Sequence, residues 1–291
     1  MMVFSGDIGQ EKNIILARPT HITNANYVIM ESTYGGRDHK DLESKREQLR
    51  DVINATIAKK GKVIIPSFSL ERTQELLYYL KQLEEDGEIP PTPVYLDSPL
   101  AAKITKLYNR HDECFNKEIV EEMKSNDHVF FFKDLTITSD HKSSIKLNNL
   151  HGSAIIIAGS GMCTGGRILH HLKHNIWDAK NTILFIGYQG VGTLGRQLVE
   201  GKTRIQMMNQ YFSVRANIES IHGFSGHAGQ KELIKWSKDI DCSNKRSLNS
   251  TIFVCHGDED QAQIFAEKIA RQNRKTIVPS MVESYELEII I

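Results

Sequence analysis

The sequence predicts an α/β protein built on a parallel sheet, with pieces of a second domain at either end. Three observations lead there. Four short runs, Lys62–Pro66, Val94–Leu96, Ala154–Ala158 and Thr182–Ile186, are apolar without alternation, as strands covered on both faces are. Each is followed at once by Ser, Asp or Gly, and helical patterns separate them, such as Glu71–Glu85 with Leu76, Leu77 and Leu80 on one side. The two ends read differently: residues 11–31 and 203–221 hold β-rich stretches (IILARP, NYVIMES, TRIQMMNQYFSVRANIES) with short connections, the pattern of antiparallel sheet.

Taken in order, Val3–Gly9 is the tail of a buried strand breaking into a turn that holds Asp7 between Gly6 and Gly9. A strand so close to an amino terminus normally frays, so this one is expected to occupy an unusual edge or to lack neighbours. NYVIMES ends in Glu31, a strand-end carboxylate. The α/β block is expected over about 40–200, as an insertion that splits a second domain. Beyond it, Lys231–Lys238 reads as a helix, STIFVC as a buried strand and Gln261–Gln272 as a helix. No internal repeat, low-complexity tract or flexible linker interrupts the chain.

Composition narrows the class. The 291 residues are 40% apolar, enough for one large or two medium cores. The 36 basic residues cancel the 36 acidic ones, so contacts to phosphate must come from local placement of Arg and Lys. Cys114, Cys163, Cys242 and Cys255 show no CxxC spacing, which argues against a thiolate zinc knuckle or a disulfide framework. With no leader-like opening and no apolar run of membrane-spanning length, the chain is expected in the cytoplasm.

Several glycine-rich stretches invite familiar readings that their details reject. Gly161 to Ile168 has P-loop spacing, but Arg167 and Ile168 replace the required Lys and Ser or Thr. Gly190-Val-Gly192-Thr-Leu-Gly195 fits GxGxxG, yet Gly201 ends the following helix too early for a dinucleotide-binding unit. Gly223-Phe-Ser225-Gly-His227 misses the nucleophile elbow because His stands in place of its last glycine. Two histidines remain in special surroundings: His227 in HGFSGHAGQ before a helix, and His256 in CHGDED where a strand meets a helix. Both sit at loop rims, where α/β enzymes place chemistry. Singly, each could be an ordinary turn residue, as could Asp7. The other ten histidines are assigned no role, and His170, His171 and His174 are read as a solvated or partly buried helix face.

Together, Asp7, Glu31, His227 and His256 resemble the site of the β-CASP nucleases, the RNA-processing branch of the metallo-β-lactamase fold. SGDIG, ESTYGGRDH, FSGHAGQ and CHGDED stand in family order, with IPSFSLERTQELL, YLDSPLA, AGSGMCTGGR and IGYQGVGTLGRQLVEG between them. The resemblance implies a parallel-sheet β-CASP domain (41–200) inserted in a partial metallo-β-lactamase αββα sandwich (1–40 and 201–291, the latter an RNA-specificity region). It implies Asp7 and His256 as metal ligands, His227 as proton donor with Glu31 holding its ring, and Zn²⁺ as cofactor, two ions in a complete site. Arg167 and Arg196, in glycine-rich loops, become phosphate contacts for a single strand of RNA. Gly229 stands where the family has Asp, which is expected to remove a supporting contact. The family's HxHxDH segment occurs nowhere in the chain, so a truncated or split member is expected. The partners so implied are RNA, a separate N-terminal metallo-β-lactamase half and a second copy of the chain, with no membrane. A non-catalytic RNA-binding scaffold and, more distantly, a nucleotide-cofactor enzyme using GVGTLG are the other readings.

Overall fold

A computed structural model describes residues 1–39, 42–125, 129–240, 250–272 and 274–287. Cys242 lies outside these residues, while Cys114, Cys163 and Cys255 are free thiols. In chain order the first elements are β1 (Met2–Phe4), β2 (Tyr27–Glu31), α1 (Lys45–Ala58), β3 (Lys62–Pro66), α2 (Arg72–Glu85), β4 (Val94–Leu96), α3 (Pro99–Tyr108) and α4 (Lys117–Ser125). There follow β5 (Leu135–Ile137), α5 (His141–Lys146), β6 (Ala154–Ala158), α6 (Ile168–Asn175), β7 (Thr182–Phe185), α7 (Leu194–Val199), β8 (Arg204–Met207), β9 (Gln210–Ser213) and β10 (Asn217–Ser220). The last are α8 (Gln230–Asp239), β11 (Thr251–Cys255), α9 (Glu259–Ala270) and β12 (Lys275–Ile277). The chain divides into two compact units, residues 40–225 and residues 1–39 with 226–291.

The central unit is a six-stranded sheet in the order β10-β7-β3-β6-β4-β5, every neighbouring pair parallel. Its middle strands bury every apolar residue of VII, AIIIA and ILF, which is why their sequence shows no alternation. Ile64, Ile156, Ile183 and Phe185 from the sheet pack with Ile168 and Leu172 of α6 and Leu198 of α7. The unit extends past the boundary expected near residue 200. The antiparallel hairpin of β8 and β9 turns Ile205 and Met207 into the same core, and β10 pairs with β7 from Asn217↔Thr182 to Ser220↔Phe185. Residues 201–225 therefore pack here rather than with the segment that follows them.

The terminal unit holds a four-stranded sheet in the order β1-β2-β11-β12, and all three pairings are parallel. Antiparallel pairing was expected for residues 11–31, which include β2. Parallel pairing instead requires a long return, which Ser5 to Asn26 supplies; that stretch, IILARP included, holds neither helix nor strand. Val28, Met30, Ile252 and Val254 pack against Leu233 and Trp236 of α8 and Phe265 and Ile269 of α9. No helix among the described residues is long and apolar enough to cross a membrane.

Within the central unit a charged pair is sealed between α1 and α2. The Lys45 ammonium bonds Glu75, with side chains 6% and 2% exposed, and lies 5.5 Å from the ring centres of both Tyr79 and Phe224. Burial pushes the Glu75 carboxyl up even with Lys45 against it. Lys45→Met leaves that carboxyl buried without its cation and is expected to cost about 3–5 kcal/mol. Urea unfolding should show the loss, and should show much of it recovered in Lys45→Met with Glu75→Leu.

Candidate metal centre and acid–base pair

Three strands of the terminal sheet carry the candidate residues at their carboxyl ends. Because β1, β2 and β11 are adjacent and parallel, the residues that follow them emerge along one rim, the usual place for a ligand in an open parallel sheet. Asp7 lies in the turn after β1, Glu31 ends β2, and His256 follows β11, whose Cys255 pairs in register with Glu31. His227 comes to the same rim from the turn before α8. Four residues named from sequence are thus brought together from four separate segments.

Glu31 is the buried member, 2% exposed. Its carboxylate accepts the Ile8 N–H at 2.6 Å, the Thr33 N–H at 3.4 Å and the Nδ1–H of His227 at 3.0 Å. The Ser5 hydroxyl accepts the N–H of Glu31, and the Ile8 carbonyl accepts the N–H of Ala228 at 2.6 Å. These bonds tie the Asp7 turn to the His227 turn through one carboxylate. With Nδ1 engaged by Glu31, the chemistry of His227 falls to Nε2.

His256 and Asp7 are open to solvent, 61% and 60% exposed in their side chains, with Nδ1 and Oδ1 3.3 Å apart. The His256 carbonyl accepts from the Thr33 hydroxyl at 3.0 Å and from the Ser32 N–H, which fixes a left-handed backbone at φ 49°. Gly257 then passes so close to Ser32 that a Cβ would stand 2.6 Å from its carbonyl oxygen. The His227 and His256 ring centres are 5.6 Å apart. Among the described residues, Asp7, His227 and His256 form the group able to hold a cation, with one donor atom from each inside 4.8 Å of the others. Zinc donors at about 2.0–2.2 Å in a tetrahedral set stand roughly 3.3 Å apart, the Asp7–His256 spacing. The Asp7–His256 pair fits a zinc ion in chemistry and spacing.

His39, left without a role in the sequence reading, backs this site. A carbonyl can only accept, so the 2.8 Å contact from His39 Nε2 to the His227 oxygen is an N–H donation that fixes the His39 tautomer. Burial lowers the His39 pKa, and the bond to His227 offsets only part of that. Its one signal in the sequence was membership of ESTYGGRDH.

The two arginines lie in the central unit. Arg167 donates through Nη1 to Asp97 at 2.6 Å and to the Thr138 carbonyl at 2.9 Å, so one side of its guanidinium is held by a carboxylate. Arg196 pairs with Glu200 one helical turn away, at 2.7 Å. His171, expected on a solvated or partly buried face, is 1% exposed and bonds Asp97 at 2.7 Å, as the Ser144 hydroxyl does at 2.6 Å. Burial pushes the Asp97 carboxyl up, and the bonds from His171, Ser144 and Arg167 more than reverse it, holding it below the ordinary carboxylate range.

Residues 73–198 match the Beta-Casp domain model, and residues 211–279 match that of the Zn-dependent metallo-hydrolase RNA specificity domain. The chain is 32% identical to ribonuclease TTHA0252 of Thermus thermophilus over 274 residues, 94% of this chain and 61% of that protein. It is 30% identical to transcription termination factor FttA of Methanothermobacter thermautotrophicus over 298 residues, 99% of this chain and 46% of that factor. With FttA of Methanocaldococcus jannaschii the identity is 32% over 301 residues, again 99% and 46%. The chain therefore spans between about half and three-fifths of the length of these relatives.

A depressed pKa in the folded state stabilises the fold above the unfolded value, about pH 4 for a carboxylate, and that stability is lost as pH falls through the folded value. Asp97→Asn should therefore be less stable than the wild type at pH 6. The difference in urea midpoint should narrow steadily as pH is lowered toward 3.

Proposed function

We propose that this chain, which belongs to the β-CASP family of the metallo-β-lactamase fold, carries part of the machinery of a zinc-dependent hydrolase that cleaves RNA phosphodiester bonds. The observation that carries the reading is the Glu31–His227 pair at 3.0 Å beside the Asp7–His256 pair at 3.3 Å. The relatives named as a ribonuclease and as termination factors support RNA as the substrate class.

Asp7 and His256 hold the metal in this reading. Zinc bound there supplies Lewis acidity toward a phosphoryl oxygen and toward water. His227 serves as the general acid: Glu31 accepts from Nδ1–H and aims Nε2–H at the leaving oxygen, which takes the proton as its bond to phosphorus breaks. Since Glu31 is nearly inaccessible, it acts through His227 rather than on substrate.

A second reading, a non-catalytic RNA-binding subunit, is favoured by one observation. The cation-holding group among the described residues has three members, and one of them, His227, is already engaged by Glu31. A zinc site takes three or four protein donors. A further strand carrying donors could add at β1, whose Met2 and Phe4 are 41% and 69% exposed at the edge of the sheet.

Two outcomes are expected. The 291-residue chain alone should bind zinc weakly and cleave RNA slowly or not at all; robust chelator-sensitive cleavage by it would contradict the donor count. In a cleavage-competent preparation, His256→Ala should lower zinc content and rate together. His227→Ala should keep zinc and lose about 10²- to 10⁴-fold in single-turnover cleavage, with much of the rate returning for a leaving group that needs no proton. Zinc lost from His227→Ala but kept in His256→Ala would reverse the two roles.

A further inference from the structure

The turn that carries His227 runs straight into α8, and its backbone groups are satisfied from outside the turn. Helix N-termini leave their first N–H groups without intrahelical partners, and the side chain of the capping residue normally accepts one of them. Here the capping residue is Gly229, which has no side chain. Its N–H is taken by Glu232 at 2.8 Å, the first helical N–H, that of Gln230, by the Arg37 carbonyl at 3.0 Å, and the next, that of Lys231, by the Asp38 carboxylate at 2.9 Å.

Gly229 is not demanded by its backbone. With φ −74° and ψ 167° it lies in extended space that any residue adopts. A side chain there would instead press on its neighbours: a Cβ at 229 would stand 3.2 Å from Asp38 Oδ1 and 3.5 Å from His39 Cδ2. The Asp38 carboxylate already fills the place in which a capping side chain would work.

We propose that Asp38 is a positioning residue for His227, a helix cap supplied by a separate loop to a glycine that cannot cap its own helix. The next residue, His39, donates to the His227 carbonyl, so residues 37–39 clamp the turn on both sides of Gly229. The cap itself is independent of the reaction proposed above; only the use made of His227 rests on that reading.

The test is a double-mutant cycle on the whole chain, read without any activity. Asp38→Ala should lower the melting temperature by about 2–4 °C, as loss of a helix cap does in a protein of this size, and speed amide exchange at Lys231 about fivefold. Asp38→Asn keeps an acceptor oxygen and should stay near wild type, which separates capping from the exposed Asp38–Lys231 ion pair at 3.4 Å. Gly229→Asp should destabilise the wild type, by setting a second carboxylate against Asp38, yet stabilise Asp38→Ala by restoring a cap within the chain. The ring signals of His227 in NMR should shift in Asp38→Ala and return toward their wild-type positions in the double variant, a response that general loosening would not give. The same sign for Gly229→Asp in both backgrounds, or His227 signals indifferent to Asp38→Ala, overturns the proposal. If Asp38→Ala does not fold, Asp38→Asn decides the question, because loss of stability there comparable to Gly229→Asp also overturns it. Should the cycle hold while cleavage ignores these changes, the role given to His227 falls and the cap stands.

Discussion

The terminal unit is organised by the needs of one buried carboxylate. Glu31 is out of water at the end of an interior strand, where an unpartnered charge would cost several kcal/mol. Its partners cannot come from β2 itself beyond the Thr33 N–H. The Ile8 N–H arrives from the turn after β1, and the imidazole of His227 arrives from the turn before α8. Satisfying the charge therefore brings the two turns into place, and with them Asp7 on one side and Nε2 of His227 on the other. One requirement of folding and the geometry of the site have the same solution.

Parallel pairing supplies the remaining coordinate. Strands that run the same way end on the same side, so His256 needs no special device to reach Asp7 beyond the register of β11 on β2. The sharp bend at His256 and the close pass of Gly257 over Ser32 then turn the chain away into α9. An antiparallel arrangement of the same strands would have placed these residues at opposite edges.

Much of this was readable from the residues. The strands of the central unit were plain because Val, Ile and Leu fill them without alternation, and the site residues stood out because glycine or a strand end flanks each one. The pairing of β10 was not readable, since NIES is half polar and its partner β7 lies more than thirty residues earlier. The direction of the terminal strands was hidden because β2 and β11 meet across nearly the whole chain. Roles of individual side chains were the least legible. Arg167 and His171 look like solvent-facing basic residues in a string of letters, yet both converge on buried Asp97. At Gly229, where a supporting contact was expected to be lost, the N–H of Lys231 is taken by an Asp from a loop far away in sequence.

The left-handed backbone at His256 bears on what kind of protein this is. That conformation suits glycine or asparagine, and holding an imidazole there costs on the order of 1 kcal/mol. The ring gains little packing in return, being largely in water. Histidine at this position is thus a residue that backbone energetics alone does not favour.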